Sequence, residues 1–138
     1  MLLKTKYQEC WLEQDTLVFK WLAETSKMTD EEFFIEIEKA ADIIKKQKKP
    51  KVLLLAKELY YLISLAIQQK VNQIFLPVYN DSGVKYLAIV LPKDMISLLA
   101  IEQTLEETRL IRKFEVRFFL EEKEAREWLY QDKDLFVE

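Results

Sequence analysis

Asp81-Ser82-Gly83 brings a carboxylate, a hydroxyl and the chain's single glycine together. That combination suits a phosphorylated or phosphate-cradling loop. Lys57, Glu58, Tyr60 and Tyr61 follow the apolar run "KVLLLA", and Lys93 and Asp94 follow "KYLAIVL". Polar residues just beyond the C-terminal ends of parallel strands line the crevice in which open α/β sheets bind ligands. A lysine cluster spans residues 45–51, a candidate anion or nucleic-acid patch, and Glu106-Glu107 and Glu121-Glu122 are candidate acid–base pairs. Each has a plainer counterpart. Tyrosines also cover sheet edges while keeping their hydroxyls wet. Lysines collect at helix C-termini, where the dipole favours cations. Adjacent carboxylates on a helix do not face each other.

Composition removes many chemistries. The 138 residues contain no histidine, one cysteine and one glycine. Ser-His-Asp and Cys-His catalysis and the usual zinc sites are therefore ruled out. So are G-x-G-x-x-G and P-loop nucleotide cradles. A net charge of −3 argues against a broad nucleic-acid footprint. The expectations are no metal, no cofactor and no nucleic-acid partner. A lone thiol, Cys10, fits a reducing cytoplasm. The apolar run in "MLLKTKYQEC" is too short for a signal peptide, and no stretch approaches a membrane span.

The elements that would position these residues follow from periodicity. "KYQECWLEQDTLVFKWLAE" reads as two strands joined by a tight turn at residues 14–15, with Tyr7, Glu9, Trp11 and Glu13 on one face and Cys10 and Leu12 on the other. Thr29 and Glu32 form a capping box for a helix whose apolar stripe is Phe33, Ile37, Ala40 and Ile44, and which Pro50 stops. Residues 51–56 and 85–91 are continuous apolar runs, as in strands covered on both faces. Between them Ile63, Ile67, Val71, Ile74 and Val78 mark a second helix, ended or kinked at Pro77. Pro92 and Asp94 open a third, buried through Met95, Leu98, Leu99 and Leu105. "FEVRFFL" is a strand, and Glu121 and Glu122 begin a last helix docked by Ala125, Trp128 and Leu129. Trp11, Trp21 and Trp128 read as core or sheet-face residues.

The order β-β-α-β-α-β-α-β-α predicts one α/β domain over residues 1–138. Its mixed five-stranded sheet has an N-terminal hairpin, a parallel section and about four helices. In that order residues 79–84 run from a helix into a strand, the wrong end for an anion site at a helix N-terminus. Gly83 is then the corner residue that tolerates positive φ.

"LVFKW", the T-x-E-E-opened helix, "KVLLLA", "KYLAIVLPKD" and "EVRFFLEEKEAREWL" together resemble SpoIIAA-like (STAS-type) domains, in particular small bacterial proteins of the STAS/SEC14-like kind. The resemblance implies a small α/β domain that binds a protein or a small ligand and catalyses nothing. In phosphoregulated members the acceptor serine lies in a D-S-[ST]-G-type loop between strand and helix. The matching connection here, "AKELYYLIS" over residues 56–64, has no Asp-Ser and no glycine. Ser64, at the helix start, is its one serine or threonine and at most the acceptor, so the resemblance supports the fold rather than a phosphoswitch. Ala56, which ends the strand where an aspartate is wanted, argues against a receiver-type acidic pocket.

These readings lead to a non-enzymatic cytoplasmic regulatory or protein-interaction module, compatible with a homodimer, with Lys57, Glu58, Tyr60, Tyr61, Lys93 and Asp94 as its binding edge. The alternative is a carrier of a small apolar ligand or lipid, as the SEC14 likeness suggests. An enclosed apolar pocket would favour the carrier, and a solid core with an exposed aromatic patch the interaction module.

Overall fold

The computed structural model describes residues 1–91, 106 and 109–131. Its elements in chain order are β1 (Leu3–Lys4), β2 (Gln8–Glu13), β3 (Thr16–Trp21), a 3-10 turn (Ala23–Lys27), α1 (Asp30–Gln47), β4 (Lys51–Leu55), α2 (Leu65–Asp81), β5 (Tyr86–Val90), β6 (Glu115–Phe119) and α3 (Glu122–Tyr130). The class is α/β, with a mixed sheet. The sheet has six strands among the described residues, where the hydrophobic pattern predicts five. The extra strand is β1, two residues paired antiparallel to Cys10 and Glu9. Three α-helices are described. The helix expected to open at Pro92 and Asp94 lies outside the described residues.

The strands stand in the sheet in their sequence order. β2 and β3 form the expected hairpin, and β3, β4, β5 and β6 are parallel, with Leu53 opposite Val18 on one side and Ala88 on the other. Parallel neighbours joined by crossovers of one hand carry their helices on one face. Accordingly α1 and α2 pack on each other and on Leu17, Phe19, Val52, Leu87 and Ile89. The alternate residues Val18, Leu53, Leu55, Ala88 and Val90 meet Ala125, Trp128 and Leu129 of α3 on the opposite face. This two-sided coverage explains why β4 and β5 are apolar without a break.

Local signals act as the chemistry requires. Thr29 accepts from the Glu32 amide at 3.1 Å while the Glu32 carboxylate accepts from the Thr29 amide at 3.0 Å. Gln14 adopts φ 55°, the positive φ that primed hairpin turns place at their first central residue. Gly83 has φ 79°. Two expectations are corrected. Pro77 does not end the helix but sits inside α2, which runs on to Asp81. The bond that Pro77 cannot donate would have gone to the Gln73 carbonyl, and both residues lie on the solvent face, where water serves instead. Tyr7 does not share a face with Glu9 and Trp11. It precedes β2 and joins the α1 side, its hydroxyl donating to Glu32 at 2.6 Å.

Candidate functional site

The predicted binding edge divides. Lys57 pairs with Glu121 at 2.9 Å, across the C-terminal ends of β4 and β6. Glu58 is exposed, and Tyr60 is 54% exposed. Tyr61 is 6% exposed and belongs to the core: its ring stacks on Phe33 at 4.5 Å and its hydroxyl donates to Asp30. Burial, then the Asp30 bond, raises its pKa. Lys93 and Asp94 lie outside the described residues. The loop carrying Lys57–Tyr61 is clipped from below by Thr25. The Thr25 hydroxyl lies 2.8 Å from the Leu22 carbonyl and 3.1 Å from that of Glu58, and accepts from the Tyr60 amide at 2.9 Å.

Both serines lie at ends of α2. Ser64 is the N-cap of α2, accepting from the Ile67 amide at 3.2 Å, so its hydroxyl is engaged in helix initiation. Ser82 is 6% exposed at the C-terminal end of the same helix. Cys10 is wholly buried, and desolvation pushes its thiol up to about 12, which removes it as a nucleophile. Among the described residues no three carboxylates and thiols gather closely enough to hold a metal ion, and no helix is long and apolar enough to cross a membrane.

A different site emerges between the sheet and the α1/α2 layer. A cavity of about 110 Å³ lies there, walled by Phe19, Trp21, Phe33, Ile37, Ala40, Val71, Phe75 and Ile89 among others. Three amide side chains interrupt this apolar wall: Gln8 on β2, and Gln68 and Asn72 on α2. Gln8 is 1% exposed. Its Nε2 donates to the Glu36 carbonyl at 2.8 Å and to Glu36 Oε1 at 3.2 Å, while its Oε1 has no partner in the protein. Glu36, itself 3% exposed, also accepts from the Thr5 hydroxyl and pairs with Lys39 at 3.5 Å. On α2, Gln68 Nε2 donates to Asn72 Oδ1 at 3.0 Å, and Asn72 Nδ2 is left without a protein partner.

Sequence reading missed these residues, though signals were present. Gln8 stands two residues before Cys10, on the strand face that Cys10 and Leu12 share. Gln68 and Asn72 are four apart and flank the Ile67–Val71 stripe, so on a helix they share the edge of its buried face. A polar residue at a position the period assigns to the core is the informative observation.

On the opposite face Glu13 gathers α3. It accepts from Arg126 at 3.0 and 3.1 Å, from the Tyr130 hydroxyl at 2.5 Å and from the Trp11 indole at 3.2 Å. Arg126, followed by Tyr130, holds the Glu13 carboxyl down at about 2. This cluster is a latch for the helix, with every donor already committed. Comparison with family models, with curated proteins and with solved structures returns no match to this chain.

Proposed function

We propose that the chain is a non-enzymatic, cytoplasmic binding module of SpoIIAA-like kind whose ligand is a small, largely apolar molecule held between the sheet and the α1/α2 layer. The observation that carries this reading is the 110 Å³ cavity between the sheet and the α1/α2 layer, lined almost wholly by apolar side chains. Its size narrows the carrier alternative. Pockets for drug-sized ligands run to roughly 300–1,000 Å³, whereas a dry cavity of about 150 Å³ accepts benzene. A lipid chain would not fit wholly inside, whereas a ring-sized molecule is of the right order. Native mass spectrometry of the purified protein, with thermal shifts against a library of ring-sized fragments, tests the reading. A retained small adduct or a saturable stabilisation supports it. The bare mass with no fragment raising the melting temperature rejects it.

Exposed side chains favour a second reading, that of a protein-interaction module. Tyr60 is 54% exposed and Leu62 72%, beside the buried Tyr61 that anchors their loop. Large side chains presented on a pinned loop are the form that interface anchors take. Loss of partner capture in Tyr60→Ala with unchanged stability would support this surface, and unaltered capture would remove it.

A further inference from the structure

We infer that the edge at which the parallel strands begin is a docking surface for an anionic phospholipid bilayer, with Leu110 and Ile111 entering the headgroup region.

The lysines of residues 45–51 do not stand alone in the fold. The Pro50 carbonyl accepts from the Lys85 amide at 2.7 Å, and the Lys85 carbonyl accepts from the Glu115 amide at 2.9 Å. The entries to β4, β5 and β6 are therefore side by side, one strand spacing of about 4.8 Å apart. Lys48 and Lys49 precede the first, Lys85 the second, and Arg112 and Lys113 the third. Among the described residues Lys45, Lys48, Lys49, Lys85 and Lys113 have no side-chain partner. Acids along this edge are mostly engaged, Asp42 with Lys46, Asp15 with Lys51 and Glu106 with Arg109. Asp81 and Glu115 are left against the five lysines. A chain of net charge −3 thus carries a cationic end. None of these residues lines the cavity beneath α1 and α2.

An apolar element lies on the same edge. Leu110 is 96% exposed and Ile111 61%, in a turn flanked by Arg109 and Arg112. Asn80, near the end of α2, clips that turn: its Nδ2 donates to the Ile111 carbonyl at 3.2 Å and its Oδ1 accepts from the Lys113 amide at 2.8 Å. The clip holds the two aliphatic side chains outward and satisfies backbone groups beside them, as a segment leaving water requires. Single exposed aliphatics are ordinary. Two in succession on a clipped turn among cations supply both halves of an interfacial anchor, apolar groups for the acyl boundary and lysines for the anionic headgroups. Nucleic acid suits the edge less, because aliphatic tips neither stack on bases nor bond phosphates. So does a protein partner, since two side chains on one turn fall far short of an interface of about 800 Å² a side.

Cosedimentation of the full chain with vesicles tests this, using phosphatidylcholine alone or with about one-third phosphatidylserine. Binding to the anionic vesicles alone is expected, weakening at least about tenfold as salt rises from about 0.05 to 0.5 M. Each cation near an anionic bilayer strengthens binding about fivefold, so Lys85→Gln with Lys113→Gln should bind about twenty-fivefold more weakly. Leu110→Ser with Ile111→Ser should weaken binding at least about tenfold. All four side chains are exposed, so both double variants should melt as the wild type does. Absence of wild-type binding to anionic vesicles at low salt would overturn the membrane surface. Vesicle binding by the serine variant as tight as the wild type's would also overturn it, leaving a generic anion patch. Tighter binding of single-stranded DNA than of vesicles, unchanged in the serine variant, would make the edge a nucleic-acid surface instead.

Discussion

Replacing Thr25 by valine removes one hydroxyl from beneath the exposed loop and leaves the shape of the side chain almost intact. Thr25 is fully buried, and its oxygen serves three backbone groups of two segments: the Leu22 and Glu58 carbonyls at 2.8 and 3.1 Å and the Tyr60 amide at 2.9 Å. The hydroxyl has a single proton, so the carbonyls share one donated bond, while the Tyr60 amide has the oxygen lone pair to itself. Valine leaves that amide unpaired and withdraws the shared donor. An unmet buried group costs about 1–3 kcal/mol, so Thr25→Val should lose about 2 kcal/mol. For a chain of this length that is a fall in melting temperature of roughly 5–10 °C. Urea denaturation gives the free energy, and hydrogen exchange locates it. Protection at the Tyr60 amide should drop roughly thirtyfold if the loss is a local opening. Thr25→Ser keeps the oxygen and should restore most of the protection. A change under about 0.5 kcal/mol, of the size surface substitutions give, with Tyr60 exchange unaltered would refute the claim that this hydroxyl holds the loop.

Three further outcomes are expected. Glu13 has a folded pKa near 2 against an ordinary 4.5, so its contribution is complete above pH 4.5 and is lost as pH falls through about 2. With the Glu13 side chain 34% exposed, solvent screening reduces that contribution to about 1–2 kcal/mol. Glu13→Gln should show this deficit at neutral pH and none near pH 2 in urea titrations. Gly83→Val should cost at least about 1 kcal/mol through its backbone conformation, since a Cβ there meets nothing within 4 Å; Gly83→Asn, which tolerates positive φ, should cost less by the same measurement. Tyr61→Ala should lose about 3–5 kcal/mol in denaturant unfolding, as large aromatic truncations in cores do. Tyr60→Ala should stay within about 0.5 kcal/mol.

The contrast between these two tyrosines shows where sequence reasoning reaches its limit. Both follow a buried strand, and both fit a binding edge equally well by position. What separates them is the register of an irregular loop, which has no period to read. The capping box at Thr29, the stripe from Phe33 to Ile44 and the two apolar strands were readable because each rests on local chemistry or a repeating face. β1 was not, because two residues contain no alternation. Pro77 misled because the residue type signals a break, whereas the outcome depends on whether the orphaned carbonyl faces water. The amides of the cavity were visible as polar residues on core faces. Only the packing of β2 against α1 and α2 brings Gln8 and Asn72 to one space.

That space is where the fold departs from what stability alone would select. At about 24 cal/mol per Å³, a 110 Å³ cavity costs about 2–3 kcal/mol. The unpaired atoms of Gln8 and Asn72 each add about 1–3 kcal/mol. Together these terms are a large part of the 5–15 kcal/mol by which ordinary domains are stable. Among the described residues the opposite face has no buried side-chain polar atom without a partner: Ala125, Trp128 and Leu129 close on Leu53 and Ala88, and Glu13 has each of its donors in place. Local remedies were within reach on the α1/α2 side. A larger residue at Ala40 would fill the cavity, and an aliphatic one at position 72 would remove the unpaired donor. Among the described residues both unpaired side-chain atoms lie in that layer, at positions where single substitutions would relieve the cost. That cost is the ground on which the cavity, rather than the exposed loop, is proposed as the ligand site.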